Sequence, residues 1–139
     1  MSITRLPAPL RSTVQIRAAG CCEYCGIHEN DAFEGHEADH VIAEQHGGEK
    51  TSVNLALACW ECNRRKGPNL SSIDSASGEI VRLFNPRRDR WSEHFRIEGA
   101  RIVAQTAIGR ATVKLLRLNS PENLNLRAAL CEAGRYPAR

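Results

Sequence analysis

Cys22-x-x-Cys25 and Cys59-x-x-Cys62 bracket Asp39-His40 and Asn54, and Asn63 follows the last cysteine directly. Two such knuckles can saturate one tetrahedral Zn²⁺ with four thiolates, leaving no open position on that ion for chemistry. The polar residues threaded between and after them are of the types that build a second site, from oxygen ligands and a base. One metal would fold the loop and another would act. A lone CxxC can be redox-active or accidental, but two pairs with 33 residues between Cys25 and Cys59 read as a structural zinc site. The interval is longer than in a short zinc ribbon, so something sizeable sits between the knuckles. A thioredoxin-like reading needs one reactive CxxC at a helix start in a βαβ context, which this chain lacks. Cys21 could compete with its neighbour as a ligand, although Cys22 leaves the cleaner knuckle. Cys131 falls in a predicted helix and reads as a plain buried or half-buried thiol.

The elements that must position these residues follow from local patterning. Pro9, LRSTVQIRAA and Gly20 predict a first helix with proline near its start, glycine past its end, and Leu10, Val14 and Ala18 as its buried stripe. His28 to Gly35 reads as loop. Glu37–Ile42 predicts a strand, Gln45-His-Gly-Gly48 a turn, and Val53–Ala58 a returning strand. Cys59–Lys66 predicts a short helix stopped by Gly67-Pro68. Strand, strand, helix, with a ligand pair at each end, is a ββα finger. After Pro68 the chain changes character. EIVRLF predicts a strand, Phe95–Ile97 and Ile102–Val103 a hairpin, and two helices follow, one over about 107–118 and one opened by Ser120-Pro121-Glu122.

At 139 residues and 15.4 kDa the chain suits one domain with a modest core, and its 42% hydrophobic and 25% charged content is ordinary for a globular protein. MSITRLPAPLRST has no apolar h-region, and no stretch approaches the ~18–20 apolar residues of a membrane span. Four of the six cysteines lie in knuckles, which favours metal in a reducing compartment over a secreted disulfide scaffold. The expectation is a cytoplasmic protein without membrane association. The net charge of +3 hides an asymmetry: residues 1–63 hold four Lys/Arg against nine Asp/Glu, and residues 64–139 hold fifteen against seven. Arginine outnumbers lysine sixteen to three, and its guanidinium is the better fork for phosphate oxygens. A basic half joined to an acidic, metal-ready half suits a polyanion held near cations.

The stretch ADHVIAEQHGGEKTSVNLALACWECNRRKG resembles the four-cysteine branch of the HNH endonucleases, also called ββα-metal or His-Me finger nucleases. The resemblance rests on Asp39-His40 at the end of the first strand, the Gly47-Gly48 turn, Asn54-Leu55 opening the second strand, and Cys59-x-x-Cys62-Asn63 with basic residues in the helix. It covers about residues 22–67. LFNPRRDRWSEHF and GRATVKLLRLN resemble the tail of bacterial HNH proteins, a likeness that carries no known chemistry. Hydrolysing a phosphodiester needs a base for water, a cation for the developing charge, and help for the leaving oxygen. His40 is the natural base, since a neutral imidazole titrates near working pH. Asp39 lies on the opposite strand face unless a bend intervenes, so one residue can hold the metal while the other reaches water. The resemblance implies that Asp39 and Asn63 ligate a catalytic ion. It also implies that Asn54 braces the hairpin and helps orient the histidine. Two oxygen donors with water favour Mg²⁺ or Mn²⁺.

Arg64, Arg65 and Lys66 extend the finger helix beside that site. They read as contacts to a nucleic-acid backbone, against the alternative of a solvated basic face. His46 could touch substrate or simply be solvated in its turn; His36 stays unassigned, and His28 reads as surface. His94 could contact phosphate, with local capping as the default. Trp60 is expected to cover the zinc site, and Trp91 and Phe95, spaced i, i+4, to belong to a core.

These readings converge on an α+β fold: a ββα-metal core over about 22–67, stapled by a four-cysteine zinc site, with an N-terminal helix and a C-terminal strand–helix extension over about 68–139, all one domain. The expected function is metal-dependent endonucleolytic cleavage of DNA, with structural Zn²⁺ and catalytic Mg²⁺ or Mn²⁺. The rivals are a non-catalytic zinc-finger nucleic-acid binder, which has no need of a base beside a ligand pair, and a structural zinc module for a protein partner, which leaves the basic half unexplained.

Overall fold

Helix α1 spans Ala8–Arg17 and is entered through Pro7, with Pro9 in its first turn, where the missing amide hydrogen leaves nothing unpaired. In this computed structural model, which describes residues 2–138, the chain divides into two compact units after Pro68. In the first unit Val14 and Ala18 join Ile3, Leu6, Ala38, Leu55 and Leu57 in one apolar cluster, with Leu10 packed half-buried against it. The expected stripe of α1 is therefore its inward face.

Strand β1, Glu37–His40, pairs antiparallel with β2, Leu55–Ala58, so that Asp39 lies opposite Ala56 and His40 opposite Leu55. Every residue of β2 is buried, which explains its run of small and branched apolar side chains. Both strands are shorter than their apolar patterns predict, and Asn54 is the reason. Its Oδ1 accepts from the Ile42 amide at 3.0 Å and its Nδ2 donates to the Ile42 carbonyl at 2.9 Å, replacing ladder bonds with side-chain bonds. The connection carries two 3-10 turns, Glu44–His46 and Ser52–Asn54. Gly47 takes a left-handed φ of 89°, and a Cβ at Gly48 would overlap the Ile42 carbonyl oxygen. The two glycines are thus needed for different reasons, backbone freedom and close approach.

Helix α2, Trp60–Lys66, is capped by the Cys59 sulfur, which accepts from the Cys62 amide at 3.4 Å, and ends at Gly67. Within the second unit β3, Ser71–Ile73, pairs with β4, Ile80–Arg82, and β5, Phe95–Glu98, with β6, Arg101–Ala104. A one-turn helix α3, Trp91–His94, precedes β5. The longer helices are α4, Ala107–Leu116, and α5, Pro121–Glu132. Thr106 and Ser120 accept from the amides of Gly109 and Asn123, satisfying first-turn donors as N-cap hydroxyls do. Helix α4 stops two residues before the predicted Leu118 because Arg117 turns left-handed, with φ 50°. Strand β3 is polar and short, and its sequence carries no strand signal. Phe84, Phe95, Ile102, Leu116 and Leu118 are buried here, with the Trp91 and Phe95 rings 5.0 Å apart. No helix among the described residues is long and apolar enough to cross a membrane.

Candidate metal centre and active-site cleft

The sulfur atoms of Cys22, Cys25, Cys59 and Cys62 all lie within 4.8 Å of one another. Cys22 and Cys25 sit on a knuckle strapped to β2, with the Glu23 amide donating to the Leu57 carbonyl at 2.8 Å and the Glu23 carboxylate accepting from the Leu57 amide at 2.8 Å. Cys59 and Cys62 come from the cap and first turn of α2. The Cys25 amide donates to the Cys22 sulfur at 3.5 Å, as the Cys62 amide does to Cys59. Burial works against a thiolate at Cys22, but the thiol hydrogens of Cys25, Cys59 and Cys62 outweigh it and hold Cys22 well below its ordinary range. The same bonds push Cys25 and Cys62 up. Four sulfurs converging in this way are a donor set that a divalent cation would satisfy, so the group fits zinc. Cys21 stands outside it, its thiol directed to the Ala19 carbonyl at 3.6 Å.

One face of the same unit opens into a cleft of about 610 Å³ whose walls include Asp39, His40, Glu44, Asn63 and Arg64. Asp39 and His40 occupy successive positions of β1, whose side chains alternate faces, yet both border the cleft. The His40 Nε2 is buried and has no hydrogen-bond partner among the described residues; the exposed Glu44 carboxylate stands 3.5 Å away, an ion-pair distance if the imidazole is protonated. An orphaned polar atom of this kind is costly unless a ligand, water or ion completes it. Asn63 projects from the middle of α2 into the same space. Asn54 closes the hairpin's far end, its Nδ2 also reaching the Glu49 carbonyl at 2.8 Å.

Asp39 is only 3% exposed. Its Oδ2 accepts from the Tyr24 hydroxyl at 2.5 Å, and its Oδ1 lies 3.2 Å from the Lys66 ammonium. Burial pushes the Asp39 carboxyl up, against the opposing pull of Lys66 and Tyr24. Tyr24 is likewise pushed well above its ordinary range, by burial first and then by the neighbouring carboxylate. A carboxylate and an amide oxygen donor beside an unpaired imidazole nitrogen fit a hard divalent ion with water completing its shell.

The three basic residues at the end of α2 do not act as one face. Arg64 lines the cleft, its guanidinium 4.9 Å from the Trp60 ring centre and 3.0 Å from the Glu37 carboxylate. Arg65 lies 3.6 Å from Glu61 on the same helix. Lys66, expected on the basic face, is instead buried inward, its Nζ bridging Asp39 and the His40 carbonyl at 3.1 Å. Trp60 is 43% exposed and carries Arg64 on its ring. His46 is exposed in its turn, and His28 caps a 3-10 turn by accepting from the Asn30 amide. His36 is buried against the Ile27 carbonyl. In the other unit His94 contacts the Thr106 hydroxyl at 2.7 Å, a local bond.

Sequence reasoning missed Tyr24, Glu44 and the inward role of Lys66. The last had a signal: Lys66 follows the buried ligand Cys62 by four residues, one helical turn along the same face. Glu44 had none, because the chain leaves strand geometry after His40.

Residues 22–69 match a family model described as HNH endonuclease, a family that acts on nucleic acids. No curated protein and no solved structure matches the chain.

Proposed function

We propose that the chain is a metal-dependent endonuclease that hydrolyses DNA phosphodiester bonds at the cleft of the first unit, with β1, β2 and α2 acting as a ββα-metal finger. The observation that carries this reading is that the adjacent Asp39 and His40 border one cleft with Asn63, which is distant in sequence, beside Arg64. The Nε2 of His40 takes a proton from water, and the water oxygen attacks phosphorus. The bond from phosphorus to the 3′ oxygen breaks, and that oxygen takes a proton from solvent water, leaving a 5′ phosphate and a 3′ hydroxyl. A divalent ion, Mg²⁺ or Mn²⁺, would supply positive charge at the phosphate from a place held by Asp39 and Asn63. Arg64 and Arg65 contact the phosphate backbone, and the strongly basic residues 64–139 favour the polyanion electrostatically. Zinc in the four-cysteine group holds the hairpin and α2 together and takes no part in the chemistry. Reduced thiols at those positions suit the cytoplasm.

Purified protein, assayed for nicking of supercoiled plasmid with Mg²⁺, Mn²⁺ or EDTA and analysed for zinc, tests this reading. The expected result is ion-dependent nicking, abolished by EDTA, from protein holding about one Zn²⁺ per chain. Binding of plasmid without nicking under every ion would favour the non-catalytic zinc-finger reading instead.

A further inference from the structure

The buried pair formed by Asp39 and Lys66 is not explained by fold stability. Taking a carboxylate and an ammonium out of water costs more than a single contact returns, and apolar residues of like volume often serve a core as well. Both side chains are nevertheless almost fully enclosed, at 3% and 2% exposure. The ammonium also reaches past Asp39 to the carbonyl of His40. It therefore ties down the carboxylate and the backbone of the next residue, on the two sides of one peptide unit. Tyr24 completes the arrangement from the first zinc knuckle, donating to the other carboxylate oxygen. Among the described residues the partners of the Asp39 carboxylate are two donors, whereas a carboxylate has about four acceptor sites.

We propose that Lys66 is a positioning residue of the cleft: a built-in counter-cation that holds the Asp39 carboxylate and the His40 backbone in place before the divalent ion arrives, and that competes with that ion for Asp39. This rests on the reading of Asp39 as an ion ligand. Its geometry is set by α2, which carries Asn63 and Lys66 one turn apart and so presents the neutral oxygen donor and the competing charge from the same helix. Two opposed effects follow from removing the ammonium. A divalent ion at Asp39 loses a like-charged neighbour, which favours its binding; the carboxylate loses one anchoring bond, which disfavours it. Between charges a few ångströms apart in a buried setting the first effect is the larger. Affinity and turnover should then move in opposite directions, since the His40 backbone has lost its tether.

Lys66→Gln, which keeps a donor without charge, and Lys66→Met, which keeps neither, separate the two effects. Mn²⁺ is titrated into the zinc-loaded chain without DNA, and free Mn²⁺ is followed by its electron paramagnetic resonance signal. Both variants are expected to bind Mn²⁺ roughly tenfold or more tightly than wild type. Nicking at saturating Mn²⁺ should be slower in both, and slower in Lys66→Met than in Lys66→Gln. Retained zinc reports folding; if Lys66→Met fails to hold it, Lys66→Gln decides alone. Mn²⁺ affinity unchanged or weaker in Lys66→Gln overturns the proposal, as does absence of Mn²⁺ binding by all three proteins. Because binding is read without substrate, a wild type that binds Mn²⁺ but cuts nothing would count against the nuclease reading and leave the competition measurable.

Discussion

Asp39 in the first unit and Asp74 in the second are both buried aspartates paired with a cation, and their environments have opposite effects. Asp74 accepts from four donors: Arg110 Nε at 2.7 Å and Nη2 at 3.1 Å, the Ser77 hydroxyl at 2.8 Å and the Ala76 amide at 3.2 Å. The Arg110 fork, helped by Ser77 and Ala76, holds that carboxyl far below its ordinary range despite its burial. Among the described residues Asp39 has two donors, Tyr24 and Lys66, and burial wins. Planar, bidentate arginine with local turn donors completes a carboxylate; a point-charge ammonium and one phenol leave it short. The lesson is that a saturated carboxylate serves as a staple, while an unsaturated one at a cleft wall has capacity left for an ion.

The largest effect should come from dismantling what frames Asp39. Structural zinc in small domains is worth on the order of 10 kcal/mol of folding free energy. Cys25→Ser or Cys59→Ser should therefore abolish zinc retention and cooperative folding of the hairpin and α2, seen as lost hydrogen-exchange protection over 37–66. A zinc-free wild type with full protection there would remove the four-thiolate reading.

Next is the proposed base, His40, beside the unsaturated aspartate. His40→Ala should lower nicking by roughly 10²–10⁴-fold, with zinc content and DNA affinity kept. Nicking at the wild-type rate would show that the proton goes elsewhere.

Matched substitutions of the two aspartates sharpen the contrast itself. Asp39→Asn should raise the Mg²⁺ or Mn²⁺ concentration needed for half-maximal nicking by ~10–100-fold, the usual range for a weakened metal shell. Asp74→Asn should leave that midpoint alone and lower the thermal midpoint of unfolding at neutral pH. The folded state keeps Asp74 ionised at a pH where the unfolded chain has taken up a proton, so the pair's stabilisation is fully present above the ordinary carboxylate pKa of ~4. It is lost as pH falls from there toward the depressed folded value. Melting curves of wild type and Asp74→Asn should accordingly converge in acid; a gap that held constant from neutral pH down would contradict the pairing.

The smallest effect belongs to the surface cations near the cleft. Arg64→Ala with Arg65→Ala should weaken DNA binding about equally across sequences and flatten its salt dependence by up to ~2 units of log–log slope. An unchanged slope would make them structural partners of Glu37, Trp60 and Glu61 only.

Much of this was legible along the chain. The spacing of the two knuckles pointed to the four-sulfur group, whereas Asp39 and Asn63 were singled out through the resemblance to the HNH endonucleases, and Glu44 at the same cleft was not. Caps were equally local: Ser120-Pro121 opens α5 because a hydroxyl and a proline meet first-turn needs without help from elsewhere. Only the tertiary structure decided the strand ends, since Asn54 takes over the bonds of Ile42 through a side chain twelve residues away. It also decided the partners of Asp39. Tyr24, Asp39 and Lys66 sit on three different elements, and whether a buried carboxylate is saturated or left with open acceptor sites depends on which donors arrive from the other two. That is a property of packing, and no interval along the chain encodes it.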